Sequence, residues 1–283
     1  MQFLEILKAI LFGIVEGITE WLPVSSTGHI ILLKNVLNPG ISTDAFWDMF
    51  EVVIQLGAIL AVILLFFRKL NPFALKKTAV EKKNTWSLWF KVIIAVLPAA
   101  IIGIPLDNWM DESFSETFEA VLIGFTLVLY GIVFFVVERI KKDAHFKIND
   151  VFDIDYRTAI LIGCFQCLSI IPGTSRSGAT ILGALLLSVS RPAGAEFSFF
   201  LAIPTMLGAS LLKLLSFLTE ESAVATSTDI GYILIGCVVS FIVSLLVIKS
   251  LMNFVRRHSF SSFGVYRVVF GVIVIAYFVP QLF

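Results

Sequence analysis

Charge is scarce in this sequence. Only 15% of the 283 residues are Asp, Glu, Lys or Arg, where a soluble domain carries about a quarter. The shortage excludes a disordered chain and an ordinary cytosolic enzyme. Net charge is absent too: 21 basic residues balance 21 acidic ones, so no overall field draws the chain to nucleic acid, and no nucleic-acid partner is expected. Cysteine is rare, with Cys164, Cys167 and Cys237 all in apolar surroundings, which excludes a disulfide scaffold. Cys164 and Cys167 have CxxC spacing, but no second Cys pair or nearby His completes a zinc site, so packing is the expected role. The first apolar stretch holds Glu5, Lys8, Glu16 and Glu20 and lacks a basic start and a small-residue cleavage site, so it does not read as a cleavable signal.

What is abundant is apolar sequence, at 58% of residues and a mean hydropathy of +0.95. Crossing a bilayer takes about 20 mostly apolar residues. Six stretches qualify, near 49–68, 88–106, 118–138, 196–218, 230–252 and 265–283. Residues 1–48 and 157–195 are also apolar, but Pro, Gly, Ser and charge interrupt their middles. Each reads as two half-length helices joined by a polar loop.

The connecting loops sort by charge. Arg68, Lys69, Lys76, Lys77, Lys82 and Lys83 follow the first span, Arg139 to Arg157 follow the third, and Arg256 and Arg257 follow the fifth. The positive-inside rule makes these loops cytoplasmic. The loops near 107–117 and 219–229 carry Asp107, Asp111, Glu112, Glu116, Glu220, Glu221 and Asp229 without Lys or Arg, and are expected outside. Each broken region is then a re-entrant hairpin that returns to its side of entry. The reading is an all-α polytopic membrane protein with an inverted-topology repeat, each unit a re-entrant helical hairpin plus three transmembrane helices. One membrane domain spans 1–283, with repeats 1–145 and 150–283. At an offset of 150, Gly13/Gly163, Glu16/Gln166, Thr19/Ser169, Ser25/Ser175, Thr27/Ser177 and Gly28/Gly178 correspond. Inverted repeats with broken helices are a transporter-like plan with a site near the midplane.

Ionisable groups inside a membrane segment are costly and mark functional sites. Glu16 and Glu20 are four residues apart in the first half-helix, hence on one face. Two carboxylates so close repel unless a proton or cation lies between them, and a hard divalent cation, Mg2+ or Ca2+, takes such oxygen ligands. In Pro23-Val-Ser25-Ser26-Thr27-Gly28-His29, hydroxyls precede an apolar run and read as a helix N-cap. That half-helix is expected to begin near Gly28, its free N–H groups favouring an anion. His29 adds a titratable imidazole. The second loop, Pro172-Gly-Thr-Ser175-Arg176-Ser177-Gly178, sets Arg176 without an acidic neighbour in sequence, and guanidinium suits bidentate phosphate binding. Together these groups describe a phosphate or diphosphate site with a bridging metal: Ser25, Thr27, Ser175, Arg176 and Ser177 as phosphate-binding candidates, Glu16 and Glu20 as metal ligands. Glu51 and Gln55, on one face of the first span, and Glu196, beside Arg191, are candidates for support or for interfacial placement.

The same segments carry a resemblance. EGITEWLPVSSTGH (16–29) and PGTSRSGAT (172–180) resemble the two signature segments of the undecaprenyl pyrophosphate phosphatase family. FEVVIQLGAILAV (50–62) and SRPAGAEFSFFLAIPTMLGA (190–209) are similar to further family segments. The resemblance covers nearly the whole chain. It implies a multi-pass enzyme of the bacterial plasma membrane, associated with bacitracin resistance, that hydrolyses undecaprenyl diphosphate to the monophosphate and inorganic phosphate and so recycles the lipid carrier of cell-wall synthesis. It further implies a divalent cation, an active site open to the outer face, an acidic motif at Glu16 and Glu20, a catalytic loop with Ser26 and His29, and phosphate binding by Arg176. Partners are then the polyprenyl diphosphate and membrane lipid; the oligomeric state, a homodimer included, stays open. Ser26 activated by His29, or water activated by His29 or Glu20, would supply the nucleophile, with Ser26 slightly favoured. The competing class is a lipid-phosphate or anion translocator, which an inverted repeat would also suit.

Overall fold

A computed structural model describes residues 3–40, 43–113, 115–142, 145–219 and 225–282. Twelve α-helices make up nearly all of it: α1 (Phe3–Thr19), α2 (Ser26–Leu37), α3 (Asp44–Val53), α4 (Gln55–Leu65), α5 (Phe67–Leu70), α6 (Ala79–Ser113), α7 (Glu116–Ile140), α8 (Tyr156–Gln166), α9 (Arg176–Leu186), α10 (Arg191–Thr219), α11 (Ser227–Val255) and α12 (Ser261–Phe278). An isolated bridge between Ile148 and Val189 is the extent of β-pairing among the described residues. Six stretches are long and apolar enough to cross a membrane: Ala45–Leu65, Ala79–Gly103, Glu116–Ile140, Arg191–Thr219, Ser227–Val255 and Ser261–Gln281. Large apolar side chains such as Ile101, Leu218 and Leu246 lie exposed on their outer surfaces, a patch far beyond what a soluble monomer tolerates. The chain is an all-helical polytopic membrane protein, and each of the six expected spans coincides with one of these stretches.

The ends of the spans differ from the expectation. Lys82, Lys83 and Glu116 belong to helices, not loops, because α6 begins at Ala79 and Ser115 caps α7 by accepting from the Phe118 N–H. Lys and Glu are good helix formers, so hydropathy fades before the helix does. The backbone of α6 likewise runs through Asp107, Asp111 and Glu112, while Glu220 and Glu221 lie outside the described residues. The last span starts at Ser261 rather than 265, which carries Arg267 well inside it.

Both interrupted regions are broken where the sequence requires it. Proline lacks an N–H and disfavours the α conformation in the residue before it. α1 therefore ends before Pro23, and the short 3-10 turn Cys167–Ile170 after α8 ends before Pro172. The chain re-enters helix at Ser26 and Arg176, after residues with left-handed backbones: Ser25 at φ 71° and Ser175 at φ 70°. The left-handed region is unfavourable for a residue with a Cβ. It is held here because each hydroxyl caps the new helix, Ser25 Oγ accepting from Gly28 N at 3.4 Å and Ser175 Oγ from Gly178 N at 3.2 Å.

Packing crosses between the two halves of the chain. α1 lies along α11, α8 along α6, and α7 along α12. The approaches are close: a Cβ at Gly13 would stand 2.7 Å from Gly236 O, and one at Gly163 only 2.1 Å from Ala95 O. Small residues at these crossings let backbones meet where no hydrophobic force between helices operates. The main core runs from Trp21 on the first loop through α4, α7 and α9 to the Phe197–Phe200 stretch of α10. It clamps the two interrupted regions against each other at their loops.

Candidate active site

α1 carries two carboxylates to the break. Glu20 N donates to Glu16 O at 3.0 Å, so the helical turn continues through Glu20 and both acids share one face. Both are buried, at 1% and 7% exposure, where an unpaired charge is expensive. The Glu20 carboxylate is answered from both loops. Its Oε2 accepts from Ser26 Oγ at 2.7 Å, at the start of α2, and its Oε1 from Arg176 Nη2 at 2.9 Å, at the start of α9. The acidic partner of Arg176 thus comes from 156 residues away in the chain. Arg176 Nη1 donates to Ser198 O at 3.0 Å, leaving Nε buried without an acceptor among the described residues.

Serines tie the second loop to the first. Ser177 Oγ lies 3.2 Å from Glu20 O, from Leu22 O and from Ser175 Oγ. Thr180 Oγ1 lies 2.7 Å from Ser198 Oγ and donates to Arg176 O at 2.9 Å, steadying the backbone on which Arg176 is mounted. Glu20, Ser25, Ser26, Ser175, Arg176 and Ser177 therefore form one cluster at the meeting of two half-helix N-termini.

Glu16 stands next to it with Oε1 buried and no donor among the described residues. Glu20, Glu51 and Arg176 all act on Glu16 electrostatically. A buried carboxylate oxygen without a hydrogen bond, beside a second carboxylate, is a donor set for a hard cation. No group of three or more His, Cys, Asp or Glu is placed to hold a metal among the described residues. Mg2+ does not need one, since it binds through one or two carboxylates with water and substrate phosphate completing its shell. The pair fits the expected cation on these terms.

His29 is placed differently from the expectation of a Ser26–His29 pair. Its Nδ1 lies 2.6 Å from Ser25 O and its Nε2 2.7 Å from Tyr266 OH. A carbonyl only accepts, so Nδ1 carries a proton, and in the neutral ring Nε2 accepts from the phenol. The imidazole also stacks on Phe270 at 3.9 Å between centroids. The group bonded to the Ser26 hydroxyl is Glu20. One helical turn orients Ser26 and His29 on α2, but the partners come from α1 and α12.

Two cavities are lined by chain neighbours of the cluster, Thr27 in one and Thr19 and Leu22 in the other, and by none of its six residues. A polar cavity of about 110 Å3 is lined by Thr27, Lys34, Asp48, Glu51, Glu116 and Glu119. A mostly apolar one of about 480 Å3 is bounded by Ile18, Thr19, Leu22, Leu251, Phe254 and Tyr266. Thr27 and Glu51 thus face the polar cavity. Ile54, between α3 and α4, keeps a right-handed helical backbone (φ −62°, ψ −23°), so Glu51 and Gln55 belong to one span, Ala45–Leu65, and of the two Glu51 lines the polar cavity. Glu196 pairs with Lys69 at 2.7 Å, and Arg191 with Glu138, both away from the cluster.

Sequence reasoning passed over Arg267. It is 0% exposed and donates to backbone oxygens of both loops: Nη1 to Pro23 O at 3.0 Å, Nη2 to Gly173 O at 2.8 Å and to Thr174 O at 3.1 Å. The rule that flagged Glu16 applies to it equally, and beginning the last span at Ser261 would have exposed the signal.

The arrangement can hold an anion between two helix N-termini, with an arginine, a hydroxyl bonded to a carboxylate, and a free carboxylate oxygen for a cation. Comparison with known proteins agrees with such chemistry. Residues 9–273 match the family model described as bacitracin resistance protein BacA. A protein of Latilactobacillus sakei named undecaprenyl-diphosphatase is 53% identical over 275 residues, covering 97% of this chain and 98% of its own. Proteins of the same name from Enterococcus faecalis (48% over 277 residues, 98% and 99% covered) and Acetivibrio thermocellus (49% over 275 residues, 97% and 98% covered) are similar in the same way. Near-complete coverage in both directions shows that the chain belongs to the bacitracin resistance protein BacA family.

Proposed function

We propose that this chain is an undecaprenyl-diphosphatase of the bacterial plasma membrane, hydrolysing undecaprenyl diphosphate to undecaprenyl phosphate and inorganic phosphate. The reaction recycles the lipid carrier of cell-wall synthesis, and with it comes bacitracin resistance. The observation that carries the chemical reading is the Glu20 carboxylate, bonded at once to Ser26 and Arg176. Phosphoryl transfer is mostly positioning and charge neutralisation. Arg176 turns its guanidinium to the terminal phosphate, with Ser25, Thr27, Ser175 and Ser177 as further phosphate-binding groups. Ser26 attacks the terminal phosphorus as Glu20 takes its proton, the P–O bond to the lipid phosphate breaks, and water then releases phosphate from the serine. His29, held in one tautomer by Ser25 and Tyr266, would take up a proton only at Nε2, where the Tyr266 hydroxyl now donates, and Glu51 adds a third carboxylate to the negative charge around Glu16 that a cation would offset. Glu16 and Glu20 would hold Mg2+ or Ca2+, which when bound offsets the charge of the diphosphate.

The decisive assay is release of inorganic phosphate from a polyprenyl diphosphate by the purified protein in detergent. Release is expected, with loss on adding a chelator and recovery with Mg2+ or Ca2+. Absence of release would favour the translocator, since transport needs two compartments. Indifference to chelator and metal would remove the cation.

The fold reading is an inverted repeat with the catalytic hairpin entering from outside. It is supported by the exchange of equivalent partners: α1 packs on α11 and its counterpart α8 on α6, while α7 and α12 pair with each other. Three membrane-crossing stretches lie between the two hairpins, an odd number, so the hairpins enter from opposite sides. Single cysteines placed near Leu4 and near Asp155, in a chain lacking its native cysteines, are expected to react with an impermeant maleimide from outside and inside respectively. Labelling of both from one side would break the repeat.

A further inference from the structure

Arg267 is a buried guanidinium whose hydrogen-bond partners among the described residues are backbone carbonyls alone. It is fully buried on α12, and among the described residues no carboxylate lies within ion-pair distance of it. Such a group is costly and persists where it performs a function. Its guanidinium reaches three backbone carbonyls, one of the first loop (Pro23) and two of the second (Gly173, Thr174), while the ring of Tyr130 lies 5.6 Å from its centre. Loop carbonyls next to prolines and left-handed residues have no helical partner, and unmet buried carbonyls are expensive. The second loop is held from its other side by Thr126 Oγ1, which donates to Pro172 O at 2.6 Å.

We propose that Arg267, with Thr126, is a positioning clamp for this reaction: it sets the register of the two loops so that Ser26 and Arg176 both meet Glu20. Among the described residues its hydrogen bonds go to Pro23, Gly173 and Thr174 rather than to Ser26, Glu20 or Arg176, so it acts through the loop backbones. Only a planar fork spans two loops at once. A lysine keeps the charge and loses the span. The inference rests on the catalytic reading above, and a shift of about 1 Å in reacting groups can cost on the order of 100-fold.

The test is steady-state kinetics of purified R267K, R267M and T126V on a polyprenyl diphosphate, with turnover normalised to the folded fraction by gel filtration and thermal unfolding. R267K is expected to lower kcat about 100-fold with KM changed less than about threefold, R267M to be at least as impaired, and T126V to lose about 5- to 10-fold in kcat. A folded R267K with near-normal kcat would overturn the clamp, and if R267M alone were inactive, charge rather than span would be the property used. A change in KM alone would equally overturn it. Should R267K not fold, T126V decides: Val keeps the shape of Thr and loses the bond to Pro172 O along with the local one to Ile123 O within α7, and unchanged kcat there would overturn the proposal. R176K is measured alongside. Full activity in R176K would refute the catalytic reading itself, whereas an inactive R176K with an active R267K would refute only the clamp.

Discussion

Glu20→Gln is expected to lower kcat by about three to five orders of magnitude. General-base assistance alone contributes about 10^2- to 10^4-fold. The change has a second cost in this structure. Both Glu20 oxygens receive donors, Ser26 Oγ at 2.7 Å and Arg176 Nη2 at 2.9 Å. An amide has one acceptor oxygen, so its NH2 must face either the hydroxyl or the guanidinium. Arg176, nearly buried, also loses its ion-pair partner, and breaking a buried pair from one side costs on the order of 3–5 kcal/mol. Glu51→Gln should cost far less, because Glu51 lines the polar cavity and bonds neither Ser26 nor Arg176. Turnover by folded Glu20→Gln protein above about a tenth of wild type would mean that Glu20 is neither base nor organiser.

Ser26→Ala separates the covalent route from direct attack by water. As nucleophile, Ser26 is activated by an adjacent carboxylate, and its loss should approach the roughly 10^6-fold seen for nucleophile knockouts. A phosphoserine should then accumulate on rapid quench of the wild type. As a positioning group, Ser26 contributes about one hydrogen bond to a charged partner, about 1–3 kcal/mol or 5- to 150-fold. A Ser26→Ala enzyme retaining more than about a hundredth of wild-type turnover would end the covalent route. His29→Ala distinguishes less, because removing the imidazole also frees Tyr266 and the stack on Phe270.

Membrane segments are legible in sequence because lipid leaves the chain few choices. Each backbone polar group must be satisfied internally, so about 20 apolar residues become a helix wherever they occur. The breaks at Pro23 and Pro172 are equally local, since proline removes a donor and restricts the residue before it. The capping serines follow the same logic, and Ser25 and Ser175 do cap the helices that begin one residue later. Two signature segments, 16–29 and 172–180, hold Glu16, Glu20, Ser26, His29 and Arg176.

What the sequence by itself determined was therefore the class of the protein, its spans and breaks, and the side chains available for chemistry, all set by properties of short segments. The tertiary structure decided who meets whom. Glu20 joins Ser26 from its own half and Arg176 from 156 residues on, His29 turns to Tyr266 rather than Ser26, and Arg267 ties both loops from α12. None of these pairings follows from spacing, because hydrogen bonds and ion pairs form between groups that helix packing brings together. Here α1 meets α11 and α8 meets α6 across the two halves of the chain, at crossings that only glycine's missing side chain allows so close.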